Sequence, residues 1–196
     1  MSDLAHLSLK KSILSKRDGL SPDVIFRKSG RIAEVLDSIP DYRDAALPFI
    51  YVSFRSEVAT HGLIKERLAK GLAVAVPFTD IKNKRIIPFL IRNWERDLGP
   101  GSYGILAPDP SRAEAVRPGL LDIIIVPGSV FDRRCGRYGY GGGYYDRFLA
   151  QEALCALRIG LAFQLQLVKE MPLAPHDQKM DLIVTENEVI RCGRLG

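Results

Sequence analysis

The segment whose residue types most directly suggest chemistry is residues 136–149, GRYGYGGGYYDRFL. It contains five glycines and four tyrosines, with Arg137, Asp146 and Arg147 among them. Glycine lets a phosphate approach the backbone closely, and the start of a helix offers unpaired N–H groups to an anion. The segment therefore favours a site for an anionic ligand. A tight turn with no binding role is the alternative, and the flanking charges argue for the site.

This glycine-rich segment matches neither of the common nucleotide-binding motifs. The sequence lacks G-x-x-x-x-G-K-[ST], and Gly139-Tyr140-Gly141 fails the pattern G-x-G-x-x-G because position 144 is tyrosine. Asp146 would repel a bound phosphate unless a cation lay between them. Mg²⁺ is commonly held by one or two carboxylates together with substrate phosphates, so a magnesium site is one interpretation. The other is that Asp146 complements the dipole of the helix that follows.

Length and composition predict a single domain over residues 1–196. The chain is 46 % hydrophobic and 26 % charged, and it contains no apolar run long enough to cross a membrane, so we expect a cytoplasmic protein without a membrane partner. The three cysteines, Cys135, Cys155 and Cys192, show no metal-ligand spacing and are expected to be free thiols. The net charge of +5 favours anionic partners in general.

Helical patterns occur in the first third of the chain and after the glycines. Residues 4–17 can form an amphipathic helix, and Ser21-Pro22-Asp23 starts a second helix that ends before Pro40. A third is expected from Glu57 to Lys70. Apolar spacing after the glycine-rich segment predicts a fourth helix that continues to Leu157. Residues 98–110, rich in proline and glycine, are expected to form a long surface loop.

Short apolar runs alternate with these helices. We interpret them as buried strands, and they cover residues 48–54, 72–78, 85–91, 120–127, 157–163 and 181–186. Strands that are apolar on both faces predict a three-layer α/β fold, with a mostly parallel sheet and helices on both faces. Ligands of such sheets bind beyond the carboxyl ends of the strands. The glycine-rich segment follows one such end, which places it at the expected ligand edge.

The same residues resemble a known family. The segment GRYGYGGGYYDRFL closely resembles the signature R-L-G-x-G-x-G-Y-Y-D of the 5-formyltetrahydrofolate cyclo-ligases. The resemblance extends in order through YVSFRSEVAT, LAVAVPF, LLDIIIVPGSVFD, GLAFQLQLV and PLAPHDQKMDLIVTE, which together span most of the chain. It implies an ATP- and Mg²⁺-dependent conversion of 5-formyltetrahydrofolate into 5,10-methenyltetrahydrofolate, with release of ADP and phosphate through a phosphorylated formyl intermediate.

The resemblance also implies the residues that bind the nucleotide and the metal. Arg137 and Asp146 are the implied catalytic residues, and Asp146 with Asp177 would bind magnesium. Lys10 would reach the nucleotide phosphates, where the family usually has arginine. The nucleotide would be cradled by Arg137, Tyr138, Gly139, Tyr140, Gly141, Gly142, Gly143, Tyr144 and Tyr145. Besides Lys10, His6 departs from the family by replacing a basic residue, and Tyr138 replaces a leucine of the signature.

For the folate, the resemblance implies Val52, Glu57, Tyr140 and Tyr144. The Glu57 carboxylate would accept hydrogen bonds from the aminopyrimidine edge, and the tyrosines would supply stacking surface. These residues also have ordinary structural alternatives. Glu57 could be an acid at the start of a helix, and the tyrosines could be buried core residues. Tyr145 in particular lies on the apolar face of the predicted helix. Ala107 stands where the family commonly has glutamate, and His176 is interpreted as a surface residue.

Two other functions fit parts of the sequence. A sugar-phosphate isomerase-like α/β enzyme could use a glycine-rich loop and scattered arginines, but it would need an acid/base pair that the sequence does not reveal. An RNA-binding protein is suggested by the pI of about 9.2 and the tyrosines. However, the tyrosines gather in one segment with no basic stripe between them. We therefore expect small-molecule substrates, no nucleic acid partner, and a monomer.

Overall fold

The computed structural model of the protein describes residues 2–101 and 104–193, with the backbone alone for residues 2–5. The helices are α1 (Ser2–Asp18), α2 (Pro22–Asp37), α3 (Pro40–Arg43), α4 (His61–Ala69), α5 (Trp94–Asp97) and α6 (Tyr144–Gln151). Within the described residues, no helix combines the length and the apolar character needed to cross a membrane.

The strands follow the predicted apolar runs and add several short ones. In chain order they are β1 (Pro48–Ile50), β2 (Val74–Asp80), β3 (Arg85–Ile91), β4 (Leu98–Pro100), β5 (Leu106–Pro108), β6 (Glu114–Ala115), β7 (Ile123–Val126), β8 (Val130–Asp132), β9 (Arg137–Tyr138), β10 (Leu157–Leu161), β11 (Leu167–Val168), β12 (Leu182–Val184) and β13 (Val189–Arg191).

One eight-stranded sheet organises the chain, in the order β13-β12-β10-β7-β1-β2-β3-β6. The central strands β12, β10, β7, β1 and β2 are parallel. The strands at its edges, β13 on one side and β3 with β6 on the other, are antiparallel. The predicted mostly parallel sheet is therefore confirmed, with antiparallel strands added where no covering helix is needed.

Helices cover both faces of this sheet, which confirms the three-layer arrangement. On one face, Ile32 and Leu36 of α2 and Ile64 of α4 pack with alternate residues of the strands. On the other face, Phe148 of α6 lies 5.3 Å from Phe49 of β1 between ring centroids. All four residues of β7 are apolar and buried, as expected of a central parallel strand whose two faces are both covered.

The second helix begins and ends where the sequence predicts, whereas the third begins later. Ser21 caps α2 by accepting a hydrogen bond from the backbone N–H of Val24. Glu57 was expected at the start of the third helix, but α4 begins only at His61. The reason is a reciprocal pair of hydrogen bonds between Ser53 and Thr60, which closes residues 53–60 into a loop. Glu57 therefore lies in a turn.

Two further expectations were wrong, one about where a helix ends and one about a predicted loop. The helix after the glycines ends at Gln151 and does not reach Leu157, because the N–H groups of both Glu152 and Ala153 bond to the carbonyl of Phe148 and close the turn. Residues 98–110 are not simply a loop, since β4 and β5 pair antiparallel within them. Residues 102 and 103 lie outside the described part of the chain.

The cysteines correct another expectation, because Cys135 and Cys192 form a disulfide across 57 positions of sequence. Cys135 lies in the turn after β8, where its carbonyl accepts a hydrogen bond from Met180, and Cys192 follows β13. The sheet order brings these segments together, which their separation in sequence does not reveal. Cys155 is a free, exposed thiol.

This disulfide generates a stability prediction. We expect Cys192→Ser to lower the free energy of unfolding by about 2 to 4 kcal/mol without reductant, because the cross-link restricts a long loop of the unfolded chain. Urea titration of both proteins measures the difference. Cys155→Ser is the matched control and should unfold like the original protein. Identical urea midpoints for Cys192→Ser and the original protein in the absence of reductant would contradict the predicted stabilisation by the disulfide.

Candidate active site

A cavity of about 970 Å³ lies at the carboxyl ends of the parallel strands. Tyr51 and Val52 follow β1 into its wall, Pro127 follows β7, and Phe78 and Thr79 come from the end of β2. The remaining wall is formed by the end of α1, the β4–β5 hairpin and the glycine-rich segment. The expected ligand edge of the sheet is thus a concave site large enough for a substrate.

The glycine-rich segment connects β9 to α6 along one side of this cavity. Gly143 caps α6 with a φ of 64°, and Gly141 has a φ of 104°, both in the region that residues with a side chain rarely adopt. A Cβ atom on Gly142 would lie 2.7 Å from the ring of Tyr144. The segment therefore needs glycine for its backbone path, and its backbone is accessible at Gly141 and Gly142.

Arg137 supports this segment from beneath. Its side chain is only 2 % exposed; Nη1 donates to the carbonyl of Pro127 at 3.1 Å and Nη2 to Oδ1 of Asp146 at 2.8 Å. A Cβ atom on Gly139 would lie 2.9 Å from Nη1, so glycine at that position makes room for the guanidinium. The pairing of Arg137 with Asp146 joins the two ends of the glycine-rich segment.

The turn that leads to Arg137 is held by a buried carboxylate. Asp132, at the end of β8, accepts hydrogen bonds from the N–H groups of Arg134 and Gly136 on Oδ1 and of Met171 on Oδ2. A Cβ atom on Gly136 would lie 3.0 Å from Oδ1 of Asp132. The closed turn aligns β9 with β8 and so fixes the backbone of Arg137.

The two carboxylates expected to bind magnesium come from the first turn of α6 and from a neighbouring loop. Oδ1 of Asp146 accepts the N–H of Gln178 at 3.1 Å, which brings the loop of Asp177 against the start of α6. Asp177 uses Oδ2 to accept the N–H of Ala174, and its Oδ1 lies 3.8 Å from the exposed ring of His176. Among the described residues, Oδ2 of Asp146 and Oδ1 of Asp177 accept no hydrogen bond, so each could contact a cation.

The magnesium expectation is therefore compatible with the residues present. Within the described residues no group of three or more potential metal ligands is found. Mg²⁺ does not need such a group, because it is commonly bound through one or two carboxylates with substrate phosphates and water. Asp146 and Asp177 would be its protein ligands.

Lys10 also reaches the glycine-rich segment. Its Nζ would lie 3.9 Å from a Cβ atom on Gly141, although the side chain stands beside the cavity and does not line it. Burial, together with the nearby Arg137 guanidinium, lowers the pKa of Lys10. An ammonium crowded by another cation next to an accessible backbone loop favours the binding of an anion.

His6 and Tyr138, which both differ from the family pattern, contact each other. The rings of His6 and Tyr138 stack with centroids 3.8 Å apart, and the Tyr138 hydroxyl donates to the carbonyl of Pro172. The Tyr138 side chain is buried with Ile13, and the cavity lining does not include it. The structure thus gives Tyr138 a packing role at the side chain and leaves only its backbone near the expected nucleotide.

The residues expected to bind folate line the same cavity. They are Val52, Glu57, Tyr140 and Tyr144. Tyr145, expected at the nucleotide, lines it as well. Oε2 of Glu57 accepts the N–H of Phe54 at 2.9 Å, and the Tyr140 hydroxyl is close enough to interact with the carboxylate. Burial raises the pKa of Glu57, with the Tyr140 hydroxyl and the Phe54 N–H opposing the rise. Ala107 lies in the wall facing these residues.

Of two further arginines linked to the site, Arg17 was missed, and Arg147 was noted as a flanking charge without an assigned contact. Arg17, at the end of α1, contacts Tyr140 and Ser56 from the cavity wall. Arg147 donates to the carbonyls of Lys84 and Gly142, which fastens the glycine-rich segment to the turn between β2 and β3. The signal for Arg17 was present in the basic stretch at residues 16–17, directly before a helix end, but a helix charge at that position is usually solvated.

The fold and the cavity define a class: an α/β protein with a substrate-sized cavity at the carboxyl edge of its sheet. Residues 4–186 match the model of the 5-formyltetrahydrofolate cyclo-ligase family, and the chain belongs to that family. It is accordingly an enzyme of the ligase class.

Similar proteins agree with this membership over nearly the whole chain. The 5-formyltetrahydrofolate cyclo-ligase of Saccharomyces cerevisiae is 30 % identical over 90 % of this chain and 92 % of its own. That of Mus musculus is 26 % identical over 93 % and 94 %. The structure of Aquifex aeolicus 5,10-methenyltetrahydrofolate synthetase is 32 % identical and superimposes with a TM-score of 0.84, covering 95 % of this chain and 93 % of the other.

The environment of Glu57 generates a pH-dependent prediction. An acid whose pKa is raised in the folded state costs stability once it ionises, so this cost is absent below about pH 4 and grows as the pH rises above that value. Glu57→Gln retains an acceptor for Phe54 and removes the charge. We expect it to raise the melting temperature at pH 8 and to have little effect at pH 4.

Thermal unfolding at several pH values measures this difference. Glu114→Gln, at an exposed position on β6, serves as the control and should leave the melting temperature unchanged at each pH. A melting temperature for Glu57→Gln below that of the original protein at pH 8 would contradict the prediction that the buried charge of Glu57 lowers stability.

Proposed function

We propose that this enzyme converts 5-formyltetrahydrofolate into 5,10-methenyltetrahydrofolate at the expense of ATP, releasing ADP and phosphate. The observation that carries the proposal is the composition of one cavity, whose lining includes Arg137, Asp146 and the glycine-rich segment together with Glu57 and Val52. An accessible glycine-rich backbone in the same cavity as an apolar, carboxylate-bearing wall suits a nucleotide beside a pterin.

The chemistry needs activation because a formamide oxygen is a poor leaving group. In the proposed first step the formyl oxygen attacks the γ-phosphorus, an O–P bond forms, and the bond to ADP breaks. The second folate nitrogen then attacks the formyl carbon and loses its proton, and the carbon–oxygen bond breaks as phosphate departs. Both steps depend on positioning and charge neutralisation and need no protein nucleophile.

At the nucleotide side, the chain would supply the accessible backbone between Gly139 and Gly143 and the cation of Lys10. Arg137 would act mainly from below, since Nη1 and Nη2 each already bond to the protein. When bound beside Asp146 and Asp177, Mg²⁺ would neutralise phosphate charge next to these carboxylates. The pair of Arg137 with Asp146 would keep the carboxylate oriented before any ligand arrives.

At the folate side, Glu57 would accept hydrogen bonds from the aminopyrimidine, while Val52, Tyr140 and Tyr144 would enclose the ring. Glu57 is half-buried and has few protein donors, so a donor-rich ligand edge would replace the water that the carboxylate has lost. The Tyr145 hydroxyl group lies in the same wall, and burial raises its pKa, which keeps it neutral.

The proposal is tested by measuring formation of the methenyl product by its near-ultraviolet absorbance. Purified protein is mixed with 5-formyltetrahydrofolate, ATP and Mg²⁺, and each component is omitted in turn. We expect product only with all three, and a fall in kcat of at least about a hundredfold for Asp146→Asn, since an electrostatic contact to the transition state is lost. Asp41→Asn, on the exposed helix α3, should retain activity. An inactive but folded original protein would refute the proposal.

Adjacent lysines on α1 test the nucleotide side separately. Lys10 approaches the glycine-rich segment, whereas Lys11 is exposed. Losing a charge-assisted contact of about 1.5 to 3 kcal/mol should raise the KM for ATP roughly tenfold or more in Lys10→Ala. Lys11→Ala should stay within about twofold of the original protein. Equal effects of the two substitutions in steady-state kinetics would mean that Lys10 contributes only general charge.

A further inference from the structure

We infer that Arg17 is a positioning residue: it holds the ring of Tyr140, and through it the glycine-rich segment, in the arrangement that both substrates need. The inference rests on the proposed function and assigns a role to a residue that lies outside the family signature. It concerns the link between the two sides of the cavity.

Arg17 connects segments that are distant in sequence. Its side chain is 6 % exposed; Nε donates to the Ser56 hydroxyl at 3.1 Å and Nη1 donates to the Tyr140 hydroxyl at 2.7 Å. A longer contact of 3.5 Å reaches the carbonyl of Gly128. One guanidinium therefore joins the end of α1 to the turn of Glu57, the loop after β7 and the glycine-rich segment.

Charge pairing explains the burial of Arg17 only in part. Its ion-pair partner Asp18 has a side chain that is 62 % exposed and lies 3.8 Å from Nη2, a contact that offers little compensation for removing a guanidinium from water. The partly buried Glu57 carboxylate adds an electrostatic attraction to Arg17. Arg17 gains chiefly through neutral hydrogen bonds and the Tyr140 ring, which its Cζ overlies at 5.6 Å. These contacts fix the position of the Tyr140 ring, and the removal of the Arg17 guanidinium from water opposes them.

Tyr140 needs such an anchor because its own segment cannot hold it. The residue stands between Gly139 and Gly141, neither of which has a side chain to pack against the ring, and it is 48 % exposed. Its hydroxyl accepts a hydrogen bond from Arg17 at 2.7 Å, lies 3.4 Å from the carbonyl of Gly128 and is close enough to interact with the Glu57 carboxylate. Loss of Arg17 would remove the charge-assisted hydrogen bond among these contacts and loosen the ring together with its glycine neighbours.

Because Tyr140 is proposed to contact folate while its neighbours cradle the nucleotide, loss of Arg17 should affect both substrates. We expect Arg17→Gln to raise the KM for 5-formyltetrahydrofolate and the KM for ATP by about tenfold each, with a smaller change in kcat. Tyr140→Phe keeps the ring and removes the hydroxyl, so it should produce part of the same effect.

A double-mutant cycle tests whether the two residues act as one unit. Steady-state kinetics are measured for Arg17→Gln, Tyr140→Phe and the double variant. We expect kcat/KM of the double variant to match that of Arg17→Gln within about twofold. A loss equal to the product of the two single losses would overturn the inference.

Arg67→Gln is the control for the structural consequence of losing a buried arginine. Arg67 is similarly buried, lies over Tyr42 at 5.7 Å, and donates to the carbonyls of Tyr42 and Ala45 away from the cavity. Its loss should lower the melting temperature and leave both KM values unchanged. KM values that rise as much in Arg67→Gln as in Arg17→Gln would also overturn the inference.

The same experiment separates this inference from the proposed function. If the original protein forms no methenyl product, the proposed function fails, and calorimetric titration with ATP still measures whether Arg17→Gln weakens nucleotide binding. If the original protein is active and Arg17→Gln binds both substrates with unchanged affinity, only the positioning role fails.

Discussion

The ion pair between Arg137 and Asp146 is the interaction on which the glycine-rich segment depends. A guanidinium that is 2 % exposed cannot remain unpaired without a large cost, and Asp146 at the start of α6 supplies the charge. The pair closes the segment at both ends, and the space that Arg137 occupies requires glycine at Gly139. At Gly128, a Cβ atom would lie 3.1 Å from Cγ of Arg137. The backbone that would receive the nucleotide is therefore shaped by one buried cation.

The sheet order determines which segments can surround this pair. The strands β1, β7 and β2 are neighbours, so the chain leaves the sheet at adjacent points, and the segments that follow them converge on one cavity. Residues that are far apart in sequence, such as Val52 and Pro127, meet because parallel strands end at the same edge. The disulfide of Cys135 and Cys192 further ties the turn before Arg137 to the end of β13.

Much of this could be predicted from local pattern. The run III at residues 123–125 is apolar on both faces and marks a central strand, and Ser21 with Pro22 marks a helix start. The expected lining residues Glu57, Tyr140 and Tyr144 do line a single cavity. What failed depended on contacts between distant residues. The bonds between Ser53 and Thr60 delay α4, and the disulfide joins Cys135 to Cys192 across 57 positions of sequence.

Residues whose role is defined by a partner in another segment were the least predictable. The sequence shows Arg17 as one of several charges on a basic helix, and only the fold reveals that it is buried against Tyr140. His6 and Tyr138 appeared as two unrelated departures from the family signature, yet they form one stacked pair. A change at one position is easier to accommodate when its neighbour in space changes as well. His6 and Tyr138 are such neighbours, although 132 positions separate them in sequence (138 − 6).

The two sides of the cavity show the same balance between stability and binding. Glu57 is held where burial disfavours its charge, and Arg17 is held where desolvation is poorly offset by Asp18. Neither arrangement is expected of residues selected for stability alone, since apolar side chains could fill the same wall at lower cost. Both become favourable if a ligand supplies the missing partners: donors for the carboxylate and stacking surface for the anchored ring. Under the proposed function, Glu57 is the polar group of the wall that the donors of an aminopyrimidine edge would complete.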